Sequence, residues 1–323
     1  MLNQEQRASQ INSSLKDGAD SSQVTENKPV SEGLSKLIGK QSSAIVKQFG
    51  QPSRKDPSAY GYEWWIYSDQ AEKYMQVAVK DGRVVSLYAL GKDLNIAPFS
   101  IGQPVDQLFQ HVNLETTLDL EWEGNSYRFE LSEEDLGVRP LVRMDNGYAQ
   151  VYIDKFTGRI SSVRYMDAET LVKQRPYELI YRGELPPDDV LSEQEWQLVE
   201  AGSDQQIFDI TNIIRERFDL GLVEWDETTA EVAFLHSMDM SKENYFSHES
   251  PKNGDLANRL KEGKVKYELA GENIAAQYVD GLAACEGWLN SKGHREALLN
   301  EEFTHLGVGV YQKYYTQNFI KKP

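Results

Sequence analysis

A short pattern occurs twice between residues 35 and about 170, and it restricts the fold of this half of the chain more than any other feature. The first occurrence opens on Ile38-Gly39-Lys40, continues with Ile45, Val46 and Phe49 at helical spacing, and stops at Gly50-Gln51-Pro52. A glycine followed closely by proline ends a helix, because glycine takes the left-handed conformation and proline cannot continue the hydrogen-bond ladder. Strand-like runs follow at Tyr62–Tyr67, Met75–Val79 and Arg83–Tyr88, the last two joined by the hairpin signal Asp81-Gly82. The second occurrence opens on Ile101-Gly102-Gln103-Pro104, with Val105 and Leu108 at helical spacing. Runs at Tyr127–Leu131, Tyr148–Ile153 and Arg159–Tyr165 complete it, with Asp154–Gly158 as the turn. Gln76-Val77 matches Gln150-Val151, and Gly82-Arg83-Val84 matches Gly158-Arg159-Ile160. Each copy reads as a helix followed by about three antiparallel strands, so two copies can share one sheet. Trp64, Trp65 and Tyr67 fit the alternating core and surface positions of a strand better than they fit a ligand platform.

Residues 1–34 are rich in Ser, Gln, Asn, Asp, Glu and Lys, with isolated apolar residues, and read as a disordered tether. Residues 35–183 hold the tandem-repeat, antiparallel, β-rich α+β domain. From Glu184 to Asp209 there are eight acidic residues and no Lys or Arg, and Pro186-Pro187 marks a break. Residues 184–204 are therefore expected to be an acidic linker, partly helical, with a solvated face. The last segment, 205–323, is helical and then mixed. Ile207, Ile210, Ile214 and Phe218 follow helical spacing; Asp226 is placed to cap a second helix; Leu256 and Leu260 suit a third, ending at Gly263. Leu282, Cys285, Trp288 and Leu289 give another buried face, and Leu306–Tyr311 and Tyr314–Ile320 alternate like two strands.

Charge and composition exclude several function classes. A formal net charge of −17 disfavours a nucleic-acid partner, which needs clustered Lys and Arg to neutralise phosphate. It equally disfavours simple attachment to anionic lipid. The single cysteine, Cys285, rules out an internal disulfide and sits on an apolar helix face, where core packing fits it better than nucleophilic chemistry. No apolar run approaches the ~18 residues of a membrane span. Met1–Gly33 lacks the apolar middle of a signal peptide, so the signal or anchor of an exported form is expected outside this sequence.

Candidate chemistry is confined to the C-terminal segment. There lie Tyr245-Phe246-Ser247-His248, Gly271-Glu272-Asn273-Ile274-Ala275, Trp288 with Ser291, Gly293-His294-Arg295 and Leu306-Gly307-Val308-Gly309-Val310. With Asn212, Arg215, Trp225-Asp226, Ala233, His236-Ser237 and Tyr315–Phe319, these ordered motifs resemble the CAP superfamily (cysteine-rich secretory proteins, antigen 5, pathogenesis-related 1; the SCP domain) over about the last 115 residues. The repeated unit in front is similar to the CAP-associated domain of spore-forming Gram-positive bacteria. The resemblance implies an α-β-α sandwich for 205–323, with a cavity holding two histidines and two glutamates. Carried over by motif, these fall on His248, His294 and Glu272, while Ser291 stands where the second glutamate is expected. It also implies an extracellular or cell-surface location and a cleft for a peptide, lipid or cell-wall ligand.

Two neutral imidazoles and one carboxylate suit Zn²⁺ or another divalent cation, with water in the fourth position at ~2.0–2.2 Å ligand distances. Such a metal is not expected to be required for folding. Three readings of His248, His294 and Glu272 stay open. They hold the sandwich layers together, they bind a cation without turnover, or they hydrolyse a peptide or wall substrate with Glu272 as base. No His-Glu-x-x-His helix occurs, which excludes the zincin mechanism. Asn273 is expected to hold Glu272 in place, Arg295 to pair with an acid and pin its turn, and Gly271 and Gly293 to permit close backbone approach. His236, His305 and His111 read as structural or solvated, and Ser237 beside His236 is no triad, since adjacent helical residues point apart.

Overall fold

A computed structural model describes residues 32–112 and 114–323. The expected tether falls almost wholly outside them; Leu34, at its end, opens a short 3₁₀ turn and is buried. Fourteen strands and nine α-helices follow among the described residues. The N-terminal half contains β1 (Arg54–Pro57), β2 (Glu63–Tyr67), β3 (Met75–Lys80), β4 (Arg83–Ala89), β5 (Thr117–Trp122), β6 (Asn125–Glu130), β7 (Leu141–Met144), β8 (Gly147–Asp154), β9 (Arg159–Met166) and β10 (Glu178–Arg182). Its helices are α1 (Ser42–Phe49), α2 (Val105–His111), α3 (Glu133–Val138) and α4 (Ala168–Gln174). The C-terminal half contains α5 (Glu193–Arg217), β11 (Glu224–Trp225), α6 (Glu227–Lys242), α7 (Leu256–Glu262), β12 (Leu269–Ala276), α8 (Gly281–Leu289), α9 (Lys292–Leu298), β13 (His305–Tyr311) and β14 (Tyr314–Lys321).

The two similar stretches meet in one seven-stranded sheet, ordered β1-β2-β3-β4-β9-β8-β7. Equivalent residues make equivalent contacts. Gly39 N donates to Val84 O and Ser42 N to Gly82 O; Gly102 N donates to Ile160 O and Val105 N to Gly158 O. The Arg83 guanidinium reaches Gly39 O, and that of Arg159 reaches Gly102 O. Each second hairpin carries a register shift, at Ala78/Val79 and at Tyr152/Ile153. Tyr127–Leu131 departs from the expected arrangement. It forms β6 in a separate sheet, β10-β6-β5, with its own core around Phe129 and Leu171.

The large sheet is covered on both faces. Val77, Leu87, Val151 and Val163 face a core shared with Ile38 and Ile45, whereas Trp64, Tyr88 and Tyr152 join the core of the C-terminal half. That C-terminal half is an α-β-α sandwich around the sheet β11-β13-β14-β12. Leu306, Val308 and Val310 meet Ile207, Ile214 and Leu282 of α5 and α8. On the opposite face, a Cβ at Gly307 would lie 2.1 Å from Ala230 N, and one at Gly309 1.9 Å from Phe234 N. The alternating glycines therefore let α6 lie directly on the backbone of β13, and Ser237 seals the contact with a 2.7 Å bond to Gly309 O.

The stretch expected to be a partly helical linker runs into a long helix. Helix α5 starts at Glu193, capped by Ser192 with Glu195 closing a capping box, so the second half of 184–204 belongs to a 25-residue helix. Glu193 and Glu195 are exposed, but two acids further along are engaged: Asp204 accepts Val310 N at 2.8 Å and Glu200 accepts Gln312 N at 2.9 Å.

Candidate functional site

The candidate residues come from the turn after α6, from β12 and from α9. The turn is tied down first. Asp239 accepts the Tyr245 hydroxyl at 2.5 Å and Ser250 Oγ at 2.7 Å, and His236 Nε2 lies 3.0 Å from Ser247 O. His236 is buried, and that burial lowers its pKa. It is structural, as expected.

Glu272 leaves β12 in register with Asn318 of β14. Its carboxylate is 3% exposed and both oxygens are engaged. Oε1 lies 2.9 Å from His248 Nδ1. Oε2 accepts a 2.5 Å bond from the guanidinium of Arg259, itself 5% exposed. Arg259 also donates to His248 O at 2.8 Å and Gly254 O at 2.9 Å, so one buried cation fixes both the carboxylate and the turn that carries His248. Sequence reasoning missed Arg259. The signal was present: it occupies the i+3 position between Leu256 and Leu260, on the buried stripe of a helix, where a charged residue requires a partner.

His248 is 57% exposed at the side chain, and His294 is half-buried. Their ring centroids lie 6.4 Å apart at 44°. Burial first, and His248 second, lower the pKa of His294. The two imidazoles and Glu272 thus converge in one place, with His248 outermost.

The supporting residues act differently from expectation. Asn273 donates to the backbone oxygen of His294 at 3.1 Å, so it positions the second histidine rather than Glu272. Gly271 permits close approach, since a Cβ there would meet the Phe303 ring at 2.8 Å; around Gly293 nothing lies within 4 Å. Arg295 pairs with an acid, as expected, and also donates to Leu289 O at 3.0 Å, but its partner lies in the other domain. It makes a bidentate pair with Asp154 of the N-terminal domain, at 2.9 and 3.0 Å, between the rings of Phe156 and Phe218. Ser291 caps no helix through its side chain and lines a crevice between the domains. Cys285 is buried, Trp64 and Tyr67 are core residues, and half-buried His305 sits beside Glu224. The side chain of His111 lies outside what the structure describes.

Metal fit follows from the donors. Among the described residues, no three His, Cys, Asp or Glu side chains are grouped to hold a metal ion. At Glu272, moreover, a guanidinium already occupies one oxygen, and a second cation beside it would face like charge in a buried place. The arrangement does not fit a three-ligand zinc centre.

Comparison with known proteins agrees with this architecture. The model of the CAP-associated N-terminal family matches residues 38–177, and that of the cysteine-rich secretory protein family matches 208–320. An uncharacterized membrane protein, YlbC, of Bacillus subtilis (strain 168) is 52% identical over 290 residues, covering 90% of this chain and 84% of the relative. The crystal structure of an extracellular protein containing a SCP domain from Bacillus anthracis str. Ames is 48% identical, with a TM-score of 0.87 over 94% of this chain and 99% of that one. A cysteine-rich secretory protein (SAV1118) from Staphylococcus aureus subsp. aureus Mu50 is 28% identical, with a TM-score of 0.81 over 92% and 98% of the two chains. Among the described residues, no helix is long and apolar enough to cross a membrane. The chain belongs to the CAP (SCP-domain) family, in the form that carries a CAP-associated domain in front.

Proposed function

We propose that the protein is a non-catalytic binding module, acting outside the cell or at its surface, whose CAP cleft takes a peptide, lipid or cell-wall ligand. One observation carries the reading. Both oxygens of Glu272 are engaged, by Arg259 and by His248, in a nearly closed environment. A general base must be free to accept a proton from water or substrate. Glu272 instead acts as the buried anchor for exposed His248, which with His294 forms the contact surface. Ser291 in place of a second carboxylate points the same way. A divalent cation enters only as a ligand of the two imidazoles, completed by water or by the bound partner. The N-terminal half is read as a tandem repeat that presents this domain, and the extracellular description of the Bacillus anthracis relative supports the location.

Two measurements on purified protein test the reading. Zinc is titrated calorimetrically, and hydrolysis of a denatured-protein substrate and a peptidoglycan digest is followed with and without metal. The expected result is weak zinc binding, lost in His248→Ala/His294→Ala, and no turnover. Metal-dependent hydrolysis that disappears in Glu272→Gln would overturn the reading.

A further inference from the structure

A crevice between the two domains lies away from the histidines. It has a volume of about 1080 Å³ and separates the two domains. Tyr60, Tyr152 and Lys155 line it from the N-terminal domain, and Tyr278, Lys292 and Lys313 from the CAP domain; His248, Glu272 and His294 do not.

Its charge runs against that of the whole protein. Of the basic side chains on its walls, Arg139 is paired with Asp135, Lys173 with Asp189 and Arg175 with Asp188. Lys155, Lys292 and Lys313 are exposed and have no ion pair among the described residues. They come from three separate places: the β8–β9 turn, the start of α9 and the β13–β14 turn. Of the acidic lining residues, Asp135 and Asp188 are committed to those pairs. Glu286 is 2% exposed and accepts the hydroxyls of Tyr88 and Ser162 across the domain boundary. Among the described residues, three lysines without an ion pair therefore share the crevice with two carboxylates without one, Glu134 and the buried Glu286, in a chain of net charge −17.

Unpaired lysines converging on a concave site recognise anions. A long polyanion is repelled by the rest of the surface, so the charge balance selects a short ligand with few charges. The remaining lining narrows the class. Tyrosine rings combine an apolar face with a polar edge. Tyr278 is packed so closely on α8 that a Cβ at Gly287 would lie 2.3 Å from its hydroxyl. Tyr60 and Tyr152 are buried in the wall, and Tyr278 is half-buried, so its ring beside exposed cations is the one that suits a sugar ring carrying an acidic substituent, in a crevice of ligand-binding size. We propose that this crevice is a second ligand site, separate from the histidine cleft, for a short anionic saccharide.

The probe is trigalacturonate, titrated calorimetrically at low salt into the full chain, with maltotriose as the neutral control and inorganic phosphate as the simple anion. The triple variant Lys155→Gln/Lys292→Gln/Lys313→Gln changes exposed side chains only, and near-ultraviolet circular dichroism confirms its fold. Trigalacturonate should bind the wild type, bind the triple variant about tenfold more weakly or worse, and lose affinity as salt rises. Its affinity should be unchanged in His248→Ala/His294→Ala, which separates this site from the proposed CAP-cleft function. No binding, an unchanged affinity in the triple variant, or equal affinity for maltotriose or phosphate would each overturn the proposal.

Discussion

Replacing Arg259 with methionine keeps much of the side-chain volume and removes the charge. Three donor contacts disappear, to Glu272 Oε2 and to the backbone oxygens of His248 and Gly254. Both partners of the ion pair are almost wholly buried, at 5% and 3% exposure. Breaking such a pair from one side leaves an uncompensated buried charge, which costs about 3–5 kcal/mol. Arg259 Nε has no hydrogen-bond partner, so the intact pair contributes less than this; the cost of breaking it is unaffected. At ~2–4 °C per kcal/mol, the CAP-domain transition should fall by roughly 6–20 °C. Urea denaturation of Arg259→Met, Glu272→Gln and the double variant provides the decisive comparison. Because the two residues touch, the double variant should be more stable than the sum of the single losses predicts, by about 1.5–3 kcal/mol. A loss below about 1 kcal/mol in Arg259→Met, or additive behaviour in the cycle, would refute the view that Arg259 anchors this site.

Gly309→Ala should destabilise the CAP domain by roughly 2–4 kcal/mol, because α6 backbone lies where the new Cβ must go, while Gly293→Ala should change the denaturation midpoint little. Arg295→Ala removes the buried pair with Asp154, and limited proteolysis together with small-angle scattering should show the two domains loosened; an unchanged cleavage rate and radius would contradict the clamp. Burial, partly offset by hydroxyl donors and Arg217, raises the pKa of Glu286 from 4.5. A folded-state value above the unfolded one contributes stability that is complete below about 4.5 and lost as pH rises through the folded value. Wild type should thus weaken relative to Glu286→Gln as pH rises from about 4.5, and parallel melting curves of the two proteins across that range would rule the effect out.

Much of the fold was legible because local signals and tertiary contacts agree. Asp226 does cap α6 through Thr229 N, and Gly263 does end α7. The paired Ile-Gly openings do bracket strands of one sheet. The capping box at Ser192 was equally present, and it marks where the partly helical stretch becomes α5. Two of its acids, Glu200 and Asp204, instead accept backbone N–H groups at the β13–β14 end. Glu286 occupies the buried stripe of α8 at i+4 from Leu282, as Arg259 occupies that of α7; a charge on an apolar stripe is the sequence trace of a buried polar contact.

By itself the sequence determined the two domains and most of their helices and strands, since periodicity and caps are local properties of the chain, while the meeting of His248, Glu272 and His294 was what the family resemblance implied. It did not determine what covers each face. Alternation along β8 and β9 distinguishes two sides of a sheet but is silent on whether the polar side meets water or protein. Here Gln150, Ser162 and Arg164 are buried, and Ser162 and Arg164 bond Glu286 and Asp280 of the CAP domain. Only the tertiary structure decided that Arg259 holds Glu272, that Arg295 joins the domains and that lysines from two turns and a helix start share one crevice. Each of these depends on where side-chain ends meet across long stretches of chain, a distance that no local pattern encodes.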